Sequence, residues 1–222
     1  RRHSFPTRRS SDLIATLKRA NNQPAVKGVK NIIAVTSGKG GVGKSSVSVN
    51  LALALQAQGA RVGILDADIY GPSVPHMLGA PHQRPTSPDN QHITPIEAHG
   101  LSANSIGFLM DEDNATIWRG PMASSALSQL LNETLWDSLD YLVIDMPPGT
   151  GDIQLTLSQQ IPVTGAVVVT TPQDIALLDA VKGVSMFERV SVPVLGIVEN
   201  MSMHICSNCG HHEAIFGTGG AE

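Results

Sequence analysis

The sequence predicts an α/β fold in which a mostly parallel sheet carries helices on both faces. Three features support this prediction: short apolar, β-branched runs recur along the chain, helical stretches separate them, and acids or Gly/Pro loops follow them. Continuous apolar runs are typical of strands that are buried on both faces, and strands alternating with helices are typical of parallel sheets. The 222 residues are enough for one such domain with a sizeable core.

The predicted elements follow one another in a regular order. Residues 32–36, "IIAVT", form the first apolar run, and the stretch "KSSVSVNLALALQAQ" beyond the next loop has helical spacing and ends at Gly59. Residues 81–116 are rich in Pro, His, Asn and Asp, so we expect an irregular insertion with one or two short strands. The remaining predicted strands cover 61–68, 141–149, 165–171 and 192–200, and the remaining predicted helices lie near 121–136, 152–160 and 173–190.

The stretch "GKGGVGKS" at residues 38–45 follows the first strand directly and opens the first helix. It matches G-x-x-x-x-G-K-S/T, in which glycines let backbone N–H groups approach phosphate oxygens and the helix N-terminus adds positive potential. Lys44 would contact the β- and γ-phosphates, and the Ser45 hydroxyl would bind Mg²⁺. We therefore predict a P-loop that binds a nucleotide with Mg²⁺ and not a glycine-rich turn without a ligand. The predicted nucleotide-binding residues of the loop are Gly38, Lys39, Gly40, Gly41, Val42, Gly43, Lys44, Ser45 and Ser46.

Acidic residues lie at the carboxyl ends of two of the predicted strands, which is where open α/β sheets bind ligands. Asp145 ends the third strand, so we predict that it holds the Mg²⁺ shell through water, which is the Walker B role. Asp68 lies in a loop with Gly and Pro that could rearrange with the γ-phosphate. We predict that it is linked to the metal or orients the attacking water. Asp66 is more simply explained as a strand-end acid that caps a neighbouring turn.

A second lysine, Lys39, lies inside the loop and is either a solvated charge or a catalytic cation. The pattern G-K-G-G-V-G-K-S resembles the deviant Walker A of the MinD/Mrp class of P-loop ATPases. In that class the first lysine reaches across a nucleotide-sandwich homodimer, which implies that Lys39 stabilises charge on the transferred phosphate, as an arginine finger does. The predicted catalytic residues are therefore Lys39, Lys44 and Asp68. Asn200 matches the position where the class places an adenine-contacting asparagine, and a plain loop asparagine fits it as well.

Both cysteines of the chain, Cys206 and Cys209, lie in "HICSNCGHHE" at residues 204–213. Two thiolates supply half of the four ligands that a tetrahedral metal site or an iron–sulfur cluster takes. Four interpretations are open: a zinc knuckle completed by nearby histidines, a thioredoxin-like redox pair, two inert thiols, or two pairs that meet in a symmetric dimer. Four thiolates at such an interface suit a [4Fe–4S] cluster. The candidate histidines are His204, His211 and His212.

Several stretches, in the same order, resemble the Mrp/ApbC family of iron–sulfur cluster carriers, and the similarity covers about residue 27 to 222. The stretches are "SGKGGVGKSS", "LDADIYGPSVPHMLG", "WRGPMAS", "DMPPGTGDIQLTL" and "CSNCGHHEAIFGTGGAE". The resemblance implies ATP binding and slow ATP hydrolysis. It also implies a homodimer that holds a [4Fe–4S] cluster on Cys206 and Cys209 and works between a cluster-assembly scaffold and apo iron–sulfur proteins.

Other functions share the nucleotide loop. A positioning ATPase of the MinD/ParA type would need an amphipathic helix or a basic surface, which this sequence does not show, and would leave the cysteines without a role. An ATP-gated electron donor like the nitrogenase iron protein also bridges a cluster between subunits, but its ligands lie far apart in sequence. A zinc-knuckle P-loop ATPase is the remaining alternative.

Composition sets expectations about partners and location. The formal net charge is −4, so no overall basic field attracts nucleic acid. No apolar run approaches the ~20 residues that span a bilayer, so we expect no membrane partner. Two cysteines without a secretory signal fit a reducing compartment, which predicts a cytoplasmic protein.

The chain divides into three predicted segments. Residues 1–13 contain four arginines and resemble a translated sequencing adapter, so we predict that they are non-native. Residues 14–29 are a predicted linker. Residues 30–222 are the predicted P-loop ATPase domain, with the C-x-x-C loop at 206–209, and we expect it to be truncated after "FGTGGAE".

Overall fold

The computed structural model of the chain describes residues 14–17, 23–109 and 120–220. The predicted non-native segment at 1–13 lies outside the described residues, and so do Trp118 and Arg119. The helices are α1 (Lys44–Ala57), α2 (Val74–Met77), α3 (Gly120–Glu133), α4 (Asp152–Gln160) and α5 (Asp174–Arg189), with a 3₁₀ turn at Ile106–Leu109. The strands are β1 (Val29–Ser37), β2 (Val62–Asp66), β3 (Ile96–Ala98), β4 (Leu101–Ser105), β5 (Leu139–Asp145), β6 (Gly165–Thr170), β7 (Val194–Glu199), β8 (His204–Ile205) and β9 (His212–Glu213).

In the described part of the chain, seven strands form one sheet in the order β3-β4-β2-β5-β1-β6-β7. Neighbouring strands are parallel except for β3 and β4 at one edge, which are antiparallel. The predicted α/β fold with a mostly parallel sheet is therefore confirmed, and β3 and β4 are the short strands expected in the insertion. The separate hairpin of β8 and β9 has no counterpart among the predicted elements, since two-residue strands are too short to show a period in sequence.

Helices cover both faces of the sheet. Alternate residues of a strand point to opposite faces, so the side chains of β5 pack against helices on both sides. Leu142 belongs to the apolar cluster that includes Leu127 of α3 and Leu157 of α4. The next residue, Val143, belongs to a second cluster that includes Val49 of α1. Each fully buried side chain of this size contributes about 1.5–3 kcal/mol, so the two apolar layers hold the strand ends in place. No described helix is both long enough and apolar enough to cross a membrane.

The side chains of the edge strand β7 are more exposed than we expect for a strand in a sheet that is covered on both faces. Among the described residues it pairs only with β6. Leu195 and Ile197 expose 54% and 40% of their surface. Leu195 and Ile197 lie on the same face of the strand, so the expected two-sided cover holds for central strands such as β5 and not for this face of β7.

The described residues that precede β1 are tied to the domain. The backbone N–H of Leu17 donates to Oδ1 of Asn31 over 2.8 Å, and Nδ2 of Asn31 donates to the carbonyl of Ala15 over 3.0 Å. Val26 is buried in the apolar layer under α3 and α4. The described parts of the predicted linker therefore contact the sheet instead of extending away from it.

The carboxyl ends of β1, β2 and β5 lie side by side. In the parallel ladders, Val35 of β1 and Asp66 of β2 are both opposite Asp145 of β5. The glycine loop after β1 and the acids at the ends of β2 and β5 are thereby brought together at the carboxyl ends of the strands, although they are far apart in sequence.

Candidate functional site

The glycine loop after β1 leaves its backbone open to a ligand. A Cβ built on Gly40 or Gly41 would meet no atom within 4 Å. Gly41 and Gly43 adopt positive φ angles of 80° and 86°, which a side chain would strain. These residues line a cavity of about 200 Å³ together with Lys44 and Ser45. The open backbone at the N-terminus of α1 is the arrangement that binds phosphate groups.

Gly38 and Gly43 are needed for a second reason, which is close packing. A Cβ on Gly43 would lie 2.3 Å from Nδ2 of Asn200, and a Cβ on Gly38 would lie 2.4 Å from the backbone of Asp179 in α5. The glycines of the loop therefore have two roles. Gly40 and Gly41 only line the cavity, Gly38 only packs against the rest of the domain, and Gly43 does both.

A buried network of ion pairs and hydrogen bonds lies beneath the loop. Nζ of Lys44 is 2.7 Å from Oδ1 of Asp145 and 3.2 Å from Oδ2 of Asp68. The Ser45 hydroxyl donates to Oδ2 of Asp145 over 2.6 Å, and the Ser48 hydroxyl donates to Oδ1 of the same carboxylate over 2.7 Å. Asp145 is fully buried, and Lys44 and Asp68 expose less than a tenth of their surface. The structure thus brings three residues with predicted roles, Lys44, Ser45 and Asp145, into direct contact and places Asp68 beside them.

The donors in this network suit Mg²⁺ and phosphate. Mg²⁺ prefers hard oxygen ligands, which the Ser45 hydroxyl and the carboxylates of Asp68 and Asp145 provide. Lys44 is neutralised by two carboxylates, so a phosphate group beside a metal ion could replace them as its partner. The residues present therefore fit a magnesium–nucleotide complex.

Two residues join this network without a functional prediction from sequence. Ser48 lies one helical turn after Lys44 on α1, so their spacing of four could have shown that both face Asp145. Asp66 accepts hydrogen bonds from the backbone N–H groups of Asp68 and Val74, over 3.1 and 3.0 Å, and from the hydroxyl of Ser105. It therefore caps the turn into α2 and fixes the start of the loop that carries Asp68.

Asp66 also has an unusual ionisation. Its carboxyl group is fully buried, and burial, followed by the negative charge of Asp145, raises the pKa of Asp66 to about 7. The two acids lie opposite each other in the ladder between β2 and β5. The sequence gives no signal for this shift, because it depends on burial and on a neighbour 79 residues away.

Asn200 and Lys39 lie at the loop but make different contacts. Nδ2 of Asn200 donates to the carbonyl of Val42 over 2.9 Å, so the residue after β7 is joined directly to the glycine loop. The predicted adenine contact of Asn200 stays a prediction. The Ser37 hydroxyl donates to the Lys39 carbonyl over 2.7 Å, while the Lys39 ammonium group makes no ion pair with another described residue. That ammonium group is available for a ligand or a second chain.

The cysteines lie on an exposed turn between β8 and β9. The Cys206 N–H donates to the His211 carbonyl over 2.9 Å, and the Gly210 N–H donates to the Cys206 carbonyl over 2.8 Å. Both thiols are free. Backbone N–H groups of Cys209 and Asn208, followed by the Cys209 thiol, lower the pKa of Cys206, which favours the thiolate that binds metals.

The structure does not complete a metal site around this turn. Within the described residues, no three side chains of His, Cys, Asp or Glu are grouped so that they could hold a metal ion. In this arrangement the nearby histidines are not grouped with the two cysteines. The histidines concerned are His204, His211 and His212.

A parallel sheet with a glycine loop, a buried lysine and strand-end carboxylates at one edge defines a P-loop NTPase. Among solved structures, the nucleotide-binding protein of Archaeoglobus fulgidus in complex with ADP is 41% identical, with a TM-score of 0.76 over 87% of this chain and 76% of that chain. MinD of Pyrococcus horikoshii complexed with Mg-ADP, at 22% identity and a TM-score of 0.58, covers 77% of this chain and 70% of that one and shares the fold.

The chain belongs to the ParA family described as NUBPL iron-transfer P-loop NTPase, whose model matches residues 28–222. It is 96% identical over 209 residues to an iron–sulfur cluster carrier protein of Haemophilus influenzae, covering 94% of this chain and 56% of that protein. An iron–sulfur cluster transfer protein NUBPL of Dictyostelium discoideum is 52% identical over 89% of this chain and 62% of its own length. The chain thus spans somewhat more than half the length of these relatives, and the resemblance found in sequence is confirmed.

Proposed function

We propose that the protein is an ATP-dependent carrier of iron–sulfur clusters. It binds and slowly hydrolyses ATP at the glycine loop and holds a [4Fe–4S] cluster between two copies of the chain. It takes the cluster from an assembly scaffold and transfers it to apo iron–sulfur proteins in the cytoplasm. The observation that carries the proposal is the presence, in one domain, of a buried phosphate-binding network and an exposed, incomplete thiol site. The names of the relatives support the same function.

The nucleotide half of the proposal rests on the network beneath the loop. Backbone N–H groups of the loop bind the phosphates, and Lys44 moves from its two carboxylate partners to the phosphate oxygens. Ser45, Asp68 and Asp145 would hold Mg²⁺, which supplies charge neutralisation at the phosphates when bound. Asp68 orients the attacking water. Lys39 of a second copy stabilises the charge that develops on the transferred phosphate.

The cluster half of the proposal depends on the exposure of the cysteine turn and on the number of thiolates that the turn supplies. Cys209 is exposed and Cys206 is half-buried, both thiols are free, and the lowered pKa of Cys206 favours its thiolate. Two thiolates are half of the usual set of four ligands, and a twofold interface presents the same turn twice. Two copies would therefore complete a cluster site that one copy lacks.

Asn200 supplies a physical link between the two halves. It donates to the carbonyl of Val42 in the glycine loop and lies six residues before Cys206. A nucleotide that repositions the loop would act on the start of the cysteine segment through this hydrogen bond. ATP can change the hold on the cluster only by the difference in its affinity for the two arrangements.

Anaerobic reconstitution with iron and sulfide, followed by visible absorption and by iron and sulfide analysis, tests the cluster assignment. We expect about four iron and four sulfide ions per two chains. The cluster should be absent in Cys206→Ala and in Cys209→Ala, and present in Ser207→Ala, a matched control in the same turn. Zinc bound without sulfide would instead support a zinc-binding P-loop ATPase and overturn the proposal.

Transfer to an apo-ferredoxin tests the role of ATP. With ATP present, the wild-type chain should transfer its cluster faster than Lys44→Ala loaded with the same amount of cluster. Equal rates would show that the nucleotide site does not act on the cluster, even if the cluster itself is confirmed.

A further inference from the structure

A cleft of about 1380 Å³ lies between α3 and α4, outside the cavity of the glycine loop. Its walls are formed by hydroxyl and amide side chains of the two helices. Pro147, Pro148 and Gly151, from the loop after Asp145, also line it, as does Tyr70, two residues after Asp68. Pro148 lines the loop cavity as well, so the two spaces are neighbours that share one residue.

Two buried side chains that line this cleft have polar atoms without hydrogen-bond partners in the described part of the chain. Gln154 of α4 is 2% exposed, and neither its Nε2 nor its Oε1 has a partner among the described residues. Ser124 of α3 is 6% exposed, and its Oγ also lacks a partner there. Each buried polar group left unpaired costs free energy, and most such groups in native proteins are paired. Three such atoms along one cleft could pair with a ligand that supplies the missing donors and acceptors.

The charge and the size of the cleft limit the class of ligand that it can bind. Its described lining includes the acids Glu133 and Asp152 and no Lys, Arg or His, which disfavours phosphates and other anions. Its volume exceeds the ~300–1,000 Å³ that is typical of small-molecule pockets. An elongated ligand that is neutral or basic fits both the charge and the volume of the cleft.

We propose that the cleft binds an extended peptide segment of a partner protein, neutral or basic in charge. An amide side chain offers a donor and an acceptor together, and a peptide group offers the complementary pair. Gln154 therefore pairs with the main chain of the bound segment, Ser124 contributes a third hydrogen bond, and Glu133 and Asp152 attract its basic side chains. This site stands whether or not the chain carries a cluster, because it uses no residue of the nucleotide or cysteine sites for binding.

Panning of a phage-displayed random nonapeptide library on the immobilised, cluster-free chain tests the proposal. Selected peptides are then synthesised with a fluorescent label and titrated by anisotropy. We expect peptides with a net charge of zero or above that bind the wild-type chain. Their affinity should fall at least tenfold in Gln154→Leu, which removes the amide, and in Ser128→Lys, which places a cation on the exposed wall of the cleft.

Two controls separate loss of a ligand contact from loss of structure. Met122→Lys adds the same charge to an exposed position of α3 that does not line the cleft, and it should bind the peptides as the wild type does. Gln154→Leu should keep or raise the melting temperature, because it removes two unpaired buried atoms. A residue with a purely structural role would lower the melting temperature when replaced.

Three results would overturn the proposal. The first is a library that yields no binding peptide, and the second is a set of peptides that bind Gln154→Leu and Ser128→Lys as well as the wild type. The third is loss of self-association in Gln154→Leu, measured by sedimentation with ATP and Mg²⁺, which would assign the cleft to an interface between two copies of the chain.

Discussion

The glycine loop and the cysteine turn are built in opposite ways. Beneath the loop, Asp145 is fully buried and contacts Lys44, Ser45 and Ser48 within one chain. The cysteine turn is exposed, and its two thiols have no third ligand group among the described residues. A buried, satisfied network is ready to bind its ligand in a single copy. In the proposed function, the exposed pair of thiols is completed by a second copy of the chain and by a cluster that later leaves.

The difference predicts that substitutions at the loop change both stability and function, whereas substitutions at the turn change function alone. Free energies of unfolding of variants in the two regions test this contrast.

Lys44→Ala should have the largest effect. It leaves the buried carboxylates of Asp68 and Asp145 without their cation, and breaking a buried ion pair typically costs about 3–5 kcal/mol. We expect a loss of this size in the free energy of unfolding in urea, and loss of ATP binding by calorimetry. Lys182→Ala, which removes an exposed lysine paired with Asp179 on α5, is the control and should change little. A Lys44→Ala protein as stable as the wild type would contradict the buried network.

Asp66 should make stability depend on pH. Its raised pKa, about 7 against 3.8, means that the folded chain holds this proton more tightly than the unfolded chain does. The stability that Asp66 contributes is complete below about pH 4 and is lost as the pH rises toward 7, at about 1.4 kcal/mol per pH unit.

Urea unfolding of the wild type and of Asp66→Asn between pH 4 and 7 checks this expectation. Asparagine does not titrate, so the difference in stability between the two proteins should change across this range in the direction stated. Parallel pH profiles would show that the buried acid is not perturbed.

Asn200→Ala should have a smaller effect, of about 1 kcal/mol on the free energy of unfolding, because it removes one hydrogen bond to the Val42 carbonyl. Since that bond holds the glycine loop, we also expect several-fold weaker ATP binding. Met203→Ala alters an exposed side chain three residues further along the chain and serves as the control. If the two variants bind ATP equally well, the proposed link between loop and cysteine segment is wrong.

Cys209→Ala should have no measurable effect on the midpoint of urea unfolding, because its side chain is exposed. The same variant should lose the cluster completely. A clear loss of stability in the metal-free protein would show that this turn contributes to the stability of the fold. The turn would then not differ from the glycine loop in this respect.

The sequence predicts the parts of the molecule that depend on local pattern. The strands β1, β2, β5, β6 and β7, the glycine loop and the acids that follow β2 and β5 are all predicted, because apolar runs and strand–loop–helix order are local signals. The carboxyl-end position of the site follows from the parallel sheet.

The parts that sequence does not predict depend on contacts between distant residues. The bond between Asn200 and Val42 joins positions 158 residues apart. The raised pKa of Asp66 depends on burial and on Asp145, and the unpaired amide of Gln154 depends on how α3 and α4 pack. None of these features produces a periodic pattern in the sequence, since burial and hydrogen bonding between distant residues are properties of the folded molecule.

Native mass spectrometry of the anaerobically reconstituted protein, recorded with and without ATP and Mg²⁺, tests the central claim most directly. The account predicts a species of two chains with four iron and four sulfide ions, at the stoichiometry of a single cluster. It also predicts that Cys206→Ala yields no such species. A single chain that carries a complete metal centre would contradict it, because the second pair of thiolates would then not come from a second copy.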